Sequence, residues 1–165
     1  MVDDGIFFRL RDYINGNNGK HEEIPITAPV VTDVFLSSRG PSCDTAFVVR
    51  MPVAKSFEEI VENDNLSNHS LHAESWDGWC AAVRKFGGFA RKDGIVEEAQ
   101  NLKTSLHTMP WEASVNNITN NNENCLHNEE PSTFQVAQYN SPFGNRTRFN
   151  EIWFLWDTSI ESNCT

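Results

Sequence analysis

Apolar positions along the chain change period several times. Ile6, Phe7, Leu10, Tyr13 and Ile14 recur at the three- and four-residue spacing of a helix, and Asn15-Gly16-Asn17 follows as a stop signal. From Ile24 to Leu36 the period falls to two, with Ile24, Ile26, Ala28 and Val30 on one side. The turn Arg39-Gly40-Pro41 then leads into Phe47, Val49 and Met51, so two antiparallel strands are expected after the helix. A polar stretch from Ala54 to Asn68 follows, with a short acidic helix expected around Phe57 to Val61.

The order then recurs. A strand is expected from Trp79 to Phe89, and a helix carries Ile95, Val96, Ala99, Leu102 and Leu106 on one face. Two further strands, Phe134 to Tyr139 and Glu151 to Trp156, alternate Phe134/Val136 and Ile152/Phe154/Trp156. The second half thus reads as strand, helix, strand, strand, and the first half as the same unit without its opening strand. The predicted fold is α+β, built from duplicated βαββ units. Residues 1–157 form one domain in this reading, and 158–165 a disordered tail. The segment from Asn116 to Pro131 is poor in apolar residues and reads as a loop.

Three motifs in order add a resemblance. Tyr13-Ile14-Asn15-Gly16-Asn17 leading to Ile24-Pro25-Ile26-Thr27-Ala28-Pro29-Val30, then Phe86-Gly87-Gly88-Phe89-Ala90, then Gln138-Tyr139-Asn140-Ser141-Pro142 leading to Asn150-Glu151-Ile152-Trp153, resemble the SOUL/heme-binding protein family, its plant branch above all. The resemblance runs from about Gly5 to Trp156. It implies two βαββ repeats whose strands form a distorted antiparallel barrel or paired sheets flanked by two helices, and a heme or related tetrapyrrole as ligand. Family members carry strand-forming sequence before the first helix, so the chain is expected to lack the first strand. Its neighbour's unpaired edge would invite a second copy as a homodimer. The sequence departs from the family pattern at Ile26, where the Met-Thr-Ala-Pro phrase usually has Met, at Glu58-Glu59-Ile60-Val61, where prolines are common, and at Phe149, where a basic residue is usual.

Candidate ligand residues follow from two places. On a helical wheel Phe8 lies about half a turn from the apolar stripe, and Arg11 shares its face. A ring beside a guanidinium suits a flat macrocycle with carboxylate arms. The segment from Asn140 to Arg148 carries Phe143, Arg146 and Arg148. The resemblance implies a groove between the first helix and this loop, lined by Phe7, Phe8 and Arg11 on one side and Phe143, Arg146 and Arg148 on the other. Heme iron usually takes His, Cys, Met or Tyr, and His21, His69, His72, His107 and His127 all fall in loops, beside one or at a helix end, so no axial ligand is assigned.

Composition narrows the alternatives. The 165 residues suit one domain, and no apolar run approaches the ~20 residues of a membrane span, which predicts a soluble protein. The formal net charge of -10 disfavours nucleic acid as a partner. No cationic residue stands between Lys103 and Arg146, so an anionic ligand must find a local basic spot. Cys43, Cys80, Cys125 and Cys164 allow three pairings in an oxidising compartment and have no CxxC spacing. Triplets starting at Asn65, Asn68, Asn117, Asn145 and Asn163 are glycosylation acceptors in a secreted protein, although an Asn- and Ser-rich chain also yields such triplets by chance. Met1-Val2-Asp3-Asp4 is not a signal peptide, so the chain as written reads as cytoplasmic, or as secretory if its start is truncated.

For catalysis the inventory is poor. No Ser-His-Asp arrangement, HExxH helix, phosphate-cradling glycine loop or Rossmann fingerprint occurs, and Glu97, Glu98, Glu129 and Glu130 read as solvated acids. Trp76, Trp79, Trp111, Trp153 and Trp156 read as core or rim aromatics. A binder acting as carrier, buffer or sensor is the first expectation. A small-molecule isomerase or cyclase using the same groove is the second, and a protein-interaction module the third.

Overall fold

The computed structural model describes residues 4–35, 47–76, 79–107, 109, 133–140 and 147–157. Helix α1 (Asp4–Ile14) ends where the sequence stops it, with Gly16 at φ +100°. Asn18 staples this end. It is buried, its Nδ2 donates to the Tyr13 carbonyl at 3.0 Å and the Glu22 carbonyl at 2.7 Å, and its Oδ1 accepts from the backbone N–H groups of Lys20 and Glu22. A buried amide with all these partners satisfies backbone groups that the helix end would otherwise strand.

Tyr13 and Ile14 pack with Ile24 and Ile60 into a satellite core. It is ringed by Met51, Val53, Phe57, Val61, Leu66 and Leu71, from the segment that includes α2 (Glu58–Glu62). The expected strand from Ile24 forms later. The chain from Ile24 to Pro29 is irregular, Thr27 Oγ1 donates to the Pro52 carbonyl, and the Ala28-Pro29 peptide is cis. Strand β1 covers Val30–Phe35, and Ile26 is 64% exposed, so the expected shared face of Ile24, Ile26, Ala28 and Val30 does not exist. Period two needs a continuous strand, and here only Glu23 bridges to Asn15.

Strand β2 (Phe47–Arg50), β3 (Trp79–Gly87), β4 (Thr133–Gln138) and β5 (Phe149–Asp157) complete one antiparallel sheet in the order β2-β1-β4-β5-β3. Helix α3 (Lys92–Leu106) covers one face. Its Ile95, Ala99, Leu102 and Leu106, spaced by four, three and four, meet Val34, Cys80, Phe134, Val136, Ile152 and Phe154. Each fully buried large side chain contributes about 1.5–3 kcal/mol relative to exposure, which makes this layer the main core. The fold is α+β, as expected, with β2 and β3 at the two sheet edges.

Strand β5 departs from simple alternation. Glu151, Ile152, Phe154 and Leu155 are all buried and Trp153 is half-buried, because β5 lies between β4 and β3 and its second face is also closed over. On that face Glu151 accepts from the Tyr139 hydroxyl and the Trp153 indole N–H, each at 2.8 Å. Asp33 is buried there too and pairs with Arg50, whose Nε also meets Glu74 at 2.8 Å. Burial holds the Asp33 carboxyl above its usual range, although the Arg50 guanidinium pulls the other way. Glu98, expected to be merely solvated, is bound by Arg84. Among the described residues, no helix is long and apolar enough to cross a membrane.

Candidate ligand-binding site

The ends of β3 and β5 are stitched together. Gly87 stands opposite Phe149 and Phe86 opposite Asn150, and the Asn150 Nδ2 donates to the Gly88 carbonyl at 2.9 Å. Gly88 has φ +83°, a conformation that side chains rarely adopt, and it swings the chain out of β3. The next residue, Phe89, is thereby put on the surface, 65% exposed.

Cations gather on this aromatic corner. The Arg148 guanidinium lies 4.0 Å from the centre of the Phe89 ring, and that of Arg91 lies 5.9 Å from it. Lys85 Nζ lies 5.4 Å from the centre of the Phe149 ring, which also packs against Tyr139 at 4.9 Å between centroids. Such contacts are worth about 0.5–1 kcal/mol each when exposed. They put two guanidinium groups around Phe89 on a chain of net charge -10, while Lys85 also lies 4.0 Å from the Glu151 carboxylate.

The start of α3 adds to the positive field. Arg91 is its N-cap residue, a place usually held by Ser, Thr, Asp or Asn, and makes no side-chain cap; its backbone N–H donates to the Phe89 carbonyl at 2.8 Å. The unsatisfied N–H groups and the helix dipole favour an anion at this end. Beneath the corner, Tyr139 is pushed up to about 12 by burial and by the Glu151 carboxylate that its hydroxyl bonds. The phenol stays a neutral donor, and Glu151 serves as its acceptor.

Of the residues expected from sequence, Arg148 is half-buried at this corner. On α1, Phe8 is 55% exposed, Arg11 is exposed and Phe7 is half-buried, so Phe8 does stand apart from the buried Tyr13 and Ile14. Phe143 and Arg146 lie outside the described residues, as do Trp111, the Asn116–Pro131 loop and the tail from 158. The sequence reading missed Phe89, Arg91, Lys85 and Phe149. Phe89 directly follows the pair Gly87-Gly88. The available signal was the glycine pair itself, since a strand that ends on two glycines can turn an aromatic outward.

Residues 1–155 match the model of the SOUL heme-binding protein family. The chain belongs to the SOUL family. Among curated proteins it is similar to heme-binding protein 2 of Mus musculus, 26% identical over 149 residues that cover 90% of this chain and 63% of the mouse protein. This SOUL chain thus spans less than two thirds of that relative's length. Among the described residues of this SOUL domain, no three His, Cys, Asp or Glu converge as a metal centre would require. His69 packs edge-on against Tyr13 at 5.3 Å, and His21 and His72 are exposed. What does fit a flat, acid-bearing macrocycle is the pairing of exposed rings with guanidinium groups.

Proposed function

We propose that this SOUL chain binds heme or a related tetrapyrrole as a carrier, buffer or sensor and does not convert it. The observation that carries the reading is Arg148 stacked on the exposed Phe89 beside Arg91, with Lys85 over the neighbouring Phe149. An exposed ring offers contact area to a macrocycle, and the cations offer charge-assisted partners to its carboxylates. The groove is completed by Phe7, Phe8 and Arg11 of α1 and by Phe143 and Arg146 of the β4–β5 connection. Iron, when present in the ligand, is left to solvent or exogenous donors, so heme and metal-free porphyrin bind with similar affinity. Glu151 is occupied as an acceptor by Tyr139 and Trp153, which supports a structural role over that of a catalytic base.

The compartment we propose is an oxidising one, because the buried Cys80 is disulfide-bonded. Titration of the folded chain with hemin, followed at the Soret band, tests the binding proposal. A saturable shift is expected, weakened by Phe89→Ala and by Phe8→Ala or Arg146→Ala, with protoporphyrin binding within a few-fold of hemin. A flat titration, or binding indifferent to all three substitutions, refutes it.

A further inference from the structure

Two consecutive Asn-X-Ser triplets stand between α2 and β3, Asn65-Leu66-Ser67 and Asn68-His69-Ser70, and the structure separates them. Asn68 lies inside a 3-10 turn, Leu66–His69, and its backbone N–H donates to the Asn65 carbonyl at 3.0 Å. Asn65 precedes that turn with φ −84° and ψ 79°, outside the helical region, and its side chain is exposed. Its Oδ1 accepts a hydrogen bond from the Ser67 hydroxyl at 2.6 Å.

That arrangement has a chemical meaning. A hydroxyl donating to the carboxamide oxygen stabilises the negative charge that grows there as Nδ2 gives up a proton and becomes nucleophilic. The backbone bonds of the turn are local. The backbone bonds Leu66 to Asp64, Asn68 to Asn65, Ser70 to Ser67 and Leu71 to Leu66 each span five residues or fewer, so the geometry can form in a nascent chain. The disulfide at Cys80 belongs to the kind of compartment in which glycan transfer operates.

We propose that Asn65 is an N-glycosylation site, with Ser67 positioning its carboxamide. In the transfer, Nδ2 forms a bond to the anomeric carbon of an oligosaccharide carried on a polyprenyl diphosphate. The bond from that carbon to the diphosphate oxygen breaks, the polyprenyl diphosphate leaves with the electron pair, and the amide proton passes to a base of the transferase. The proposal rests on the oxidising-compartment reading and is independent of tetrapyrrole binding.

The full chain is expressed behind a heterologous secretory leader in animal cells, and the retained and secreted pools are mapped by peptide mass spectrometry before and after peptide N-glycosidase, which leaves Asp where a glycan stood. Position 65 is expected to be occupied in most molecules. Asn65→Gln and Ser67→Ala each remove that occupancy, whereas Asn68→Gln preserves it. An unmodified Asn65 peptide, or occupancy of Asn68 with Asn65 bare, overturns the assignment. Alkylation of Cys80 without prior reduction overturns the compartment reading alone, because occupancy at Asn65 is read separately.

Discussion

Replacing Arg148 with Met separates charge from contact at the candidate site. Methionine keeps an unbranched apolar stem over Phe89 and removes the guanidinium. A hydrogen bond to a charged partner contributes about 1.5–3 kcal/mol, and the half-exposed position of Arg148 lowers this through solvent screening to about 1–2 kcal/mol. Affinity for a porphyrin with free carboxylates should therefore fall by ~5- to 30-fold. The dimethyl ester of the same porphyrin has no carboxylate to pair, and its affinity should change by less than ~2-fold. Both ligands are titrated into wild type and Arg148→Met, by Soret absorbance or by quenching of the five tryptophans. Equal losses for acid and ester would show that Arg148 acts by packing, and no loss for either would remove it from the site. Lys85 lies over the Phe149 ring and 4.0 Å from Glu151 Oε1, so Lys85→Met should give the same pattern at smaller amplitude.

Ile152→Ala should lower stability by about 2–5 kcal/mol, because Ile152 is fully buried between the sheet and α3, whereas Ile26→Ala at an exposed position should stay within about 0.5 kcal/mol; urea unfolding midpoints decide, and equal effects refute the core assignment. Both tyrosines of the chain, Tyr13 and Tyr139, are pushed up to about 12, chiefly by burial. Their neutral forms favour the fold below the ordinary tyrosine value near 10, and this contribution is lost as pH rises from there through about 12. Phenolate absorbance should be missing at pH 10.5 in the native protein and present there in strong denaturant, and a native titration centred near the ordinary value contradicts the burial argument. Strand β2, an edge strand among the described residues, should pair with a second copy, giving a concentration-dependent dimer in sedimentation velocity; a monomer at every accessible concentration refutes this.

Periodicity carried most of the fold. Ile95, Ala99, Leu102 and Leu106 announced α3 and its buried face, and Phe134/Val136 and Ile152/Phe154 announced the strands beneath it, because burial on one face leaves a regular trace in sequence. Periodicity failed from Ile24 to Pro29, where apolar residues happen to alternate in a segment without strand pairing. It also hid Glu151, an acid in a buried position, since only the partners Tyr139 and Trp153 make that burial tolerable and both are defined by sheet register. At the candidate site Arg148 was legible from a loop rich in cations. Phe89 was not, because its exposure depends on the turn at Gly88 and on the alignment of two strand ends more than sixty residues apart in sequence.

Arg91 sits where a helix gains most from Ser or Asp. Exchanging it for one of these would strengthen α3 by around 1 kcal/mol. The same exchange would strip a guanidinium from the neighbourhood of Phe89. Variants selected for heat resistance alone would therefore drift toward sturdier proteins with poorer grip on acidic guests, and the two qualities would have to be screened together.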